Sequence, residues 1–294
     1  MLPPRAEADP DVILDTIEKH QVTHINFVPS MFSVFVEKLR AGGLEKLRSL
    51  KYIFLAGEAL PRELVSQFDD LQTGILLENI YGPTEGTIYS CGYSTRDLGS
   101  KKRVPIGKPL SNISLYILDK NRSIQPVGVP GELCIGGAAL ARGYLNNEEL
   151  TAEKFVAHPF EEGARIYRTG DLVRWLPDGN IEYLGRIDNQ VKIRGYRIEL
   201  GEIEIRLAEH EAIQECAVVV KERMGDKYLV GYYVSENALR ATELVEHLAT
   251  SLPAYMVPRY YVHMDKMPWT TNGKLNRRAL PEPQVELEAN YQAP

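Results

Sequence analysis

Cysteine is scarce in this chain, and its scarcity limits what the protein does. The three cysteines among 294 residues, Cys91, Cys134 and Cys216, form neither a disulfide framework nor a zinc-ligand spacing. Each lies in an apolar or strand-like setting where a small buried thiol is expected, so a reducing, cytoplasmic location follows. Long apolar runs are missing too: none approaches the roughly 20 residues that span a bilayer, and Met1-Leu2-Pro3-Pro4-Arg5 lacks the apolar core of a signal peptide. No membrane partner is expected. There is no basic excess, since 34 Lys and Arg against 40 Asp and Glu give a net charge of -6. Such a balance offers no general attraction to nucleic acid. The histidines at 20, 24, 158, 210, 247 and 263 show no metal-ligand spacing, and no internal repeat is present. What the chain does have is 44% hydrophobic and 25% charged residues, the composition of a globular chain with a real core.

Asp9-Pro10 predicts a helix start, with aspartate as N-cap, proline in the first turn, and Ile13, Leu14 and Ile17 on one face. A strand over 24–28, a helix capped by Ser30, a second strand over 52–56, a helix from Pro61 and a third strand over 75–80 follow. Strands alternating with helices predict a parallel, helix-covered sheet. Ligands of such sheets sit beyond the carboxyl ends of the strands, where Ala56-Gly57-Glu58 and the segment from Asn79 to Glu85 fall. From about Val104 the pattern changes to short β runs (114–118, 132–135, 172–176, 181–184) separated by turn signals such as Pro177-Asp178-Gly179-Asn180, which predicts a β-barrel-like portion. After Asp188 a compact α+β unit is predicted: helices over 199–210, 243–252 and after Asn276, and strands over 216–221, 228–234 and 260–264. The tail 282–294 is acidic, proline-containing and aperiodic, which marks a linker.

Five motifs carry chemistry: Tyr81-Gly82-Pro83-Thr84-Glu85; the glycine-rich stretch from Gly131-Glu132-Leu133 to Arg142-Gly143-Tyr144; Tyr167-Arg168-Thr169-Gly170-Asp171; the run GRIDNQVKIRGYRIELGEIE from Gly185 to Glu204; and Thr271-Asn272-Gly273-Lys274-Leu275-Asn276. In this order and at these separations the sequence closely resembles the adenylation domains of nonribosomal peptide synthetases, within the adenylate-forming superfamily. The resemblance runs from about Val22 to Pro281. The family's glycine-rich phosphate loop ending in Pro-Lys-Gly belongs upstream of Tyr81 and is not in this sequence. The resemblance therefore implies the C-terminal portion of such a domain. It divides the chain into residues 1–187 of the large core (1–100 the α/β sheet, 101–187 the barrel-like part), a small mobile lid over 188–281, and a linker toward a carrier domain.

Adenylation needs a carboxylate that attacks the α-phosphorus of ATP, positive charge that spreads the developing negative charge, and a grip on the nucleoside. Glu85, a hard carboxylate in a loop directly after a strand, suits Mg²⁺ held against phosphate oxygens, and Thr84 offers a hydroxyl to phosphate. An ionised Asp171 accepts from both hydroxyls of a ribose diol. Arg186 then serves ribose or phosphate, or else a surface salt bridge. The resemblance places Tyr81 and Tyr183 on the two faces of adenine and Asn79 at its edge. It makes Lys274 the catalytic cation that touches both the attacking carboxylate and the α-phosphate. It also makes Asp188 the hinge of the lid, and Lys192, Arg194 and Gly195 the face toward the phosphopantetheine thiol of a carrier protein. Ser30, Phe54, Ala56, Ile80, Ile88 and Tyr89 align with positions that line the substrate side chain. They are neutral, which implies a small or apolar side chain on an amino acid or related carboxylic acid. An acyl- or aryl-CoA ligase and a noncatalytic remnant are the alternatives. The implied partners are the acid, the downstream carrier protein and the N-terminal remainder of the domain.

Overall fold

The computed structural model describes residues 9–188, 190–223, 226–268 and 275–283. The chain divides into two compact units, residues 1–188 and 189–294. The first opens with α1 (Pro10–His20), whose N-cap Asp9 accepts from the amides of Asp11 and Val12. Then come β1 (His24–Phe27), α2 (Pro29–Ala41), β2 (Tyr52–Leu55), α3 (Arg62–Asp69) and β3 (Leu76–Tyr81). Strands β1, β2 and β3 pair in parallel, each strand followed by a short connection, as the strand-helix alternation demands. Ser30 does not cap α2: the cap position is Val28, without a side-chain bond, and Pro29 starts the helix because its missing N–H costs nothing there.

The sheet is mixed. Two further strands, β4 (Cys91–Ser94) and β5 (Lys108–Pro109), extend it in antiparallel order, giving β1-β2-β3-β4-β5. One face buries Ile53, Leu55, Leu77 and Tyr93 against Leu14, Ile17, Phe32, Phe35 and Phe68 of the helices. Each such side chain removed from water stabilises by about 1.5–3 kcal/mol, and the tilted ring pairs Phe27–Phe35 (4.9 Å) and Phe32–Phe68 (5.2 Å) add specific contact. On the other face His24, Tyr52 and Phe54 form a stacked row, with centroids 5.0 Å apart for His24–Tyr52 and 6.0 Å for Tyr52–Phe54.

The barrel-like portion follows as an antiparallel sheet: β6 (Ile113–Leu118), β7 (Gly131–Gly137), β8 (Phe155–Ala157), β9 (Arg165–Trp175) and β10 (Ile181–Arg186), ordered β10-β9-β7-β6 with β8 against β9. Helix α4 (Glu148–Lys154), capped by Asn147, precedes β8. A bridge between Gly107 and Ile181 joins this sheet to the first one. At Gly107 a Cβ would stand 1.7 Å from the Gly92 carbonyl oxygen, so only glycine permits that approach.

The second unit has its own core. The hairpin β11 (Val191–Ile193) and β12 (Tyr196–Ile198) turns through Arg194 (φ 50°) and Gly195 (φ 80°), the positive-φ pair of a two-residue hairpin turn. Helices α5 (Leu200–Ala208) and α6 (Ala241–Ala249) pack Ile203, Leu207, Leu244 and Leu248 against one face of β13 (Glu215–Arg223), β14 (Asp226–Val234) and β15 (Tyr260–Met264). Strands β13 and β14 are antiparallel, whereas β14 and β15 are parallel. The helix expected after Asn276 is a single 3-10 turn, Arg277–Ala279.

Candidate active site

The loop from Gly82 to Ser90 leaves the carboxyl end of β3 and folds back on itself. The Ser90 amide donates to the Tyr81 carbonyl (2.7 Å) and the Gly86 amide to the Pro83 carbonyl (3.0 Å). A Cβ on Gly82 would lie 2.3 Å from the Ile88 carbonyl oxygen, so glycine is required for closure. Thr87 and Ile88 both hold positive φ (55° and 75°), which is rare for β-branched side chains. Beside this loop and the ends of β1 and β2 lies a cavity of about 450 Å³. Thr84, Ala56, Ile88 and Tyr89 line it, whereas Ser30, Phe54 and Ile80 do not. Phe54 and Ile80 lie on β2 and β3, half-buried, and the Ser30 amide donates to Glu58 (3.0 Å).

Glu85 sits at the centre of the loop, 8% exposed. Its Oε1 accepts from the hydroxyls of Tyr144 (2.5 Å) and Tyr167 (2.8 Å), while its carbonyl accepts from the Ala141 amide (2.9 Å). Both phenols flank Phe155, with ring centroids 5.7 Å and 5.0 Å away, so the antiparallel sheet fixes them independently of the loop they grip. Burial, followed by the bond to Glu85, holds the Tyr144 hydroxyl well above its ordinary range, and the phenol stays a donor. Two donors on one oxygen restrict the rotamer of this carboxylate.

Asp171, 2% exposed, lies inside β9, although Thr169-Gly170 before it reads in the sequence as a turn. Strand β9 runs through Thr169-Gly170-Asp171 because Gly170 takes φ 71°, while the Thr169 hydroxyl donates to the Leu133 carbonyl (2.7 Å). Tyr81 donates its hydroxyl to Asp171 Oδ2, and Arg186 Nη1 donates to Oδ1 (2.8 Å). The same guanidinium donates through Nε and Nη2 to the two oxygens of Asp188 (2.6 Å each) and through Nη2 to the Thr169 carbonyl (3.1 Å). Burial and then the Asp171 charge raise the Tyr81 phenol well above its usual range. Burial and Asp171 push Tyr183, opposed by Arg186, up to about 12. Asn79 is 3% exposed, and one N–H of its amide donates to the Pro105 carbonyl (2.7 Å), which fixes the side chain. In the second unit Lys192 lies on β11, and Arg194 and Gly195 form the hairpin turn. Lys274 lies outside the described residues.

Comparison with known proteins places the chain in a family. The sequence profile of the AMP-binding enzyme family matches residues 1–145, and that of the AMP-binding enzyme C-terminal domain matches residues 202–274. The chain belongs to the AMP-binding enzymes. Its likeness to the adenylation domains of nonribosomal peptide synthetases is borne out as well. It is 51% identical to a linear gramicidin synthase of Brevibacillus parabrevis, with 100% of this chain and 6% of that protein covered. It is 51% identical to a mycosubtilin synthase of Bacillus subtilis, with 100% of this chain and 12% of that protein covered. Among solved structures it resembles holo-PA1221, a nonribosomal peptide synthetase protein containing adenylation and PCP domains. The TM-score is 0.80 and the identity 30%, over 92% of this chain and 46% of that one. The chain thus spans about half the length of that solved relative and a small part of the curated ones.

Members of the AMP-binding family use ATP. The residues at hand fit its nucleoside: a buried carboxylate with about four acceptor sites, two of them engaged by Tyr81 and Arg186, suits a diol. Magnesium takes one or two carboxylates and completes its shell with water and substrate phosphates. A lone, rigidly held Glu85 fits that manner of binding. Among the described residues no three His, Cys, Asp or Glu side chains converge as an all-protein cage requires. Tyr144 and Tyr167 are the residues that sequence reasoning passed over. They stand inside quoted motifs, but 59 and 82 positions from Glu85, and nothing local announces the contact.

Proposed function

We propose that the chain works as the C-terminal part of an adenylating unit, which activates an amino acid or related carboxylic acid as acyl-AMP and transfers it to a carrier-protein phosphopantetheine thiol. One observation carries this reading. Tyr81 at the end of β3 and Glu85 in the loop that follows it are tied to Asp171 and Tyr167 of β9, so a candidate metal carboxylate and a candidate ribose carboxylate are held by one strand end, its loop and one facing strand. That is the arrangement a nucleoside triphosphate needs, with its ribose at one place and its phosphates at the other.

In this reading Asp171 accepts from the ribose hydroxyls and Arg186 sets its orientation. Tyr81 and Tyr183 bound the adenine, with Asn79 at its edge. Thr84 donates its hydroxyl to a phosphate oxygen, and Glu85 holds Mg²⁺, which neutralises phosphate charge when bound. The substrate carboxylate attacks the α-phosphorus and pyrophosphate leaves; Lys274 offsets the charge that develops. The thiol then attacks the acyl carbon and AMP departs, with Lys192, Arg194 and Gly195 facing the thiol and Asp188 as the hinge between the two steps. Residues 282–294 lead toward the carrier. The missing phosphate loop comes from a segment joined upstream, and the long match to peptide synthetases favours a carrier thiol over free CoA.

Exchange of labelled pyrophosphate into ATP, screened over amino, keto and hydroxy acids, tests the reading in the complete synthetase. One acid should support exchange. If none does while ATP binds, the activating role is wrong, and robust exchange by residues 1–294 alone refutes the need for an upstream segment.

A further inference from the structure

The cavity beside the loop is lined by neutral side chains, among them Ile25, Val28, Met31 and Ala56, yet it contains one polar pair. Asn26 Nδ2 donates to the Tyr89 hydroxyl at 2.6 Å. Asn26 stands opposite Phe54 in the β1–β2 register, so it shares the sheet face of that pocket candidate. Tyr89 arrives from the loop, behind two β-branched residues in left-handed conformations. The Thr87 hydroxyl, donated to the Ala139 carbonyl (2.5 Å), anchors this turn. Backbone strain of this kind persists only where surrounding contacts enforce it, and here it sets the position of Tyr89.

The pair has hydrogen-bonding capacity to spare. An amide carries two donors and an acceptor oxygen, and a phenol carries one donor. After their mutual bond, the Tyr89 proton and the Asn26 oxygen have no further partner among the described residues. A charged substrate side chain would find no counter-charge in this lining. A purely apolar one would cover the pair and leave its donor and acceptor without water, a penalty of roughly 10- to 100-fold per group.

Resting on the function proposed above, we infer that the activated acid carries an uncharged side chain that both donates and accepts hydrogen bonds, a hydroxyl or a primary amide, read by Asn26 and Tyr89. This revises the expectation of a small or apolar side chain, which the neutrality of the aligned positions alone suggested. Asn26 is not among those positions. Its role emerges from the strand register and the cavity.

Matched substrates test it by pyrophosphate exchange in the complete synthetase: serine against 2-aminobutyrate, threonine against valine, asparagine against leucine. The polar member of at least one pair should be favoured by on the order of 10² in kcat/KM. Tyr89→Phe and Asn26→Leu should each shrink that ratio about tenfold or more. Preference for the apolar members overturns the inference, as does an equal loss for both members of a pair in either variant, which marks a structural role. Absence of exchange with every acid refutes acid activation itself and is a distinct result. A variant that fails to fold leaves the wild-type ratio to decide.

Discussion

Removing one end of the Arg186–Asp171 pair should cost far more from the arginine side than from the aspartate side. The two side chains are 8% and 3% exposed and 2.8 Å apart, which makes this a buried pair. Arg186→Met strips Asp171 of its cation and Asp188 of its bidentate partner, and Tyr81 is the remaining described donor to the Asp171 side chain. An uncompensated buried charge costs about 3–5 kcal/mol. Asp171→Asn removes the negative charge as well as its salt bridge, but Arg186 keeps both bonds to Asp188 and the one to the Thr169 carbonyl. The expected cost is then about 1–3 kcal/mol. The double variant should fall well short of the sum, with a coupling of about 1–3 kcal/mol. Urea unfolding of the four proteins at constant m-value measures this directly. Two equal single losses that add to the double within about 0.5 kcal/mol would refute the reading of a buried pair.

Tyr167→Phe keeps the ring packed on Phe155 but deletes one donor to Glu85, so stability should drop by about 1.5–3 kcal/mol, seen in the same denaturant titration. Tyr144→Phe in that background should cost less than additively, since both phenols bind one oxygen. In the complete synthetase, Lys274→Ala should cut adenylation by about 10² to 10³, while transfer of preformed adenylate survives, as single-turnover assays of each half-reaction will show. Asp188→Pro should leave adenylation but abolish carrier loading, measured by thioester formation, and parental loading rates would falsify the hinge. Alkaline pH should destabilise the second unit: burial lifts the Cys216 thiol from 9.0 to about 11, so the folded form binds its proton more tightly than the unfolded chain. Its contribution is complete below pH 9 and lost as pH rises toward 11, and Cys216→Ala should flatten the stability slope across that window.

The parallel part of the fold was legible because its signals are local. Asp9-Pro10 capped α1, and the apolar runs of β1, β2 and β3 alternate with helical spacing. Non-local features were not. The run Thr169-Gly170-Asp171 reads as a turn, yet β9 continues for 11 residues, because the Thr169 side chain replaces a ladder bond that glycine disrupts. Helix α4 escaped notice since its seven residues bury nothing and so carry no apolar period. The aspartate and glutamate of the site announced themselves by motif. The phenols that hold the glutamate, Tyr144 and Tyr167, and the bond from Asn26 to Tyr89 depend on pairing across strands and loops that no window of sequence displays.

The loop between Gly82 and Ser90 is fastened from every direction: by its own backbone, by two phenols on Glu85, by Ala139 and Ala141, and by Asn26. Its conformational entropy is therefore surrendered when the chain folds and not when a ligand arrives. Binding at this loop should resemble a key entering a cut lock. Affinity there is then governed by which groups meet which, so that exchanging a single atom in the ligand changes recognition sharply, while changes that merely loosen distant surface loops leave it untouched.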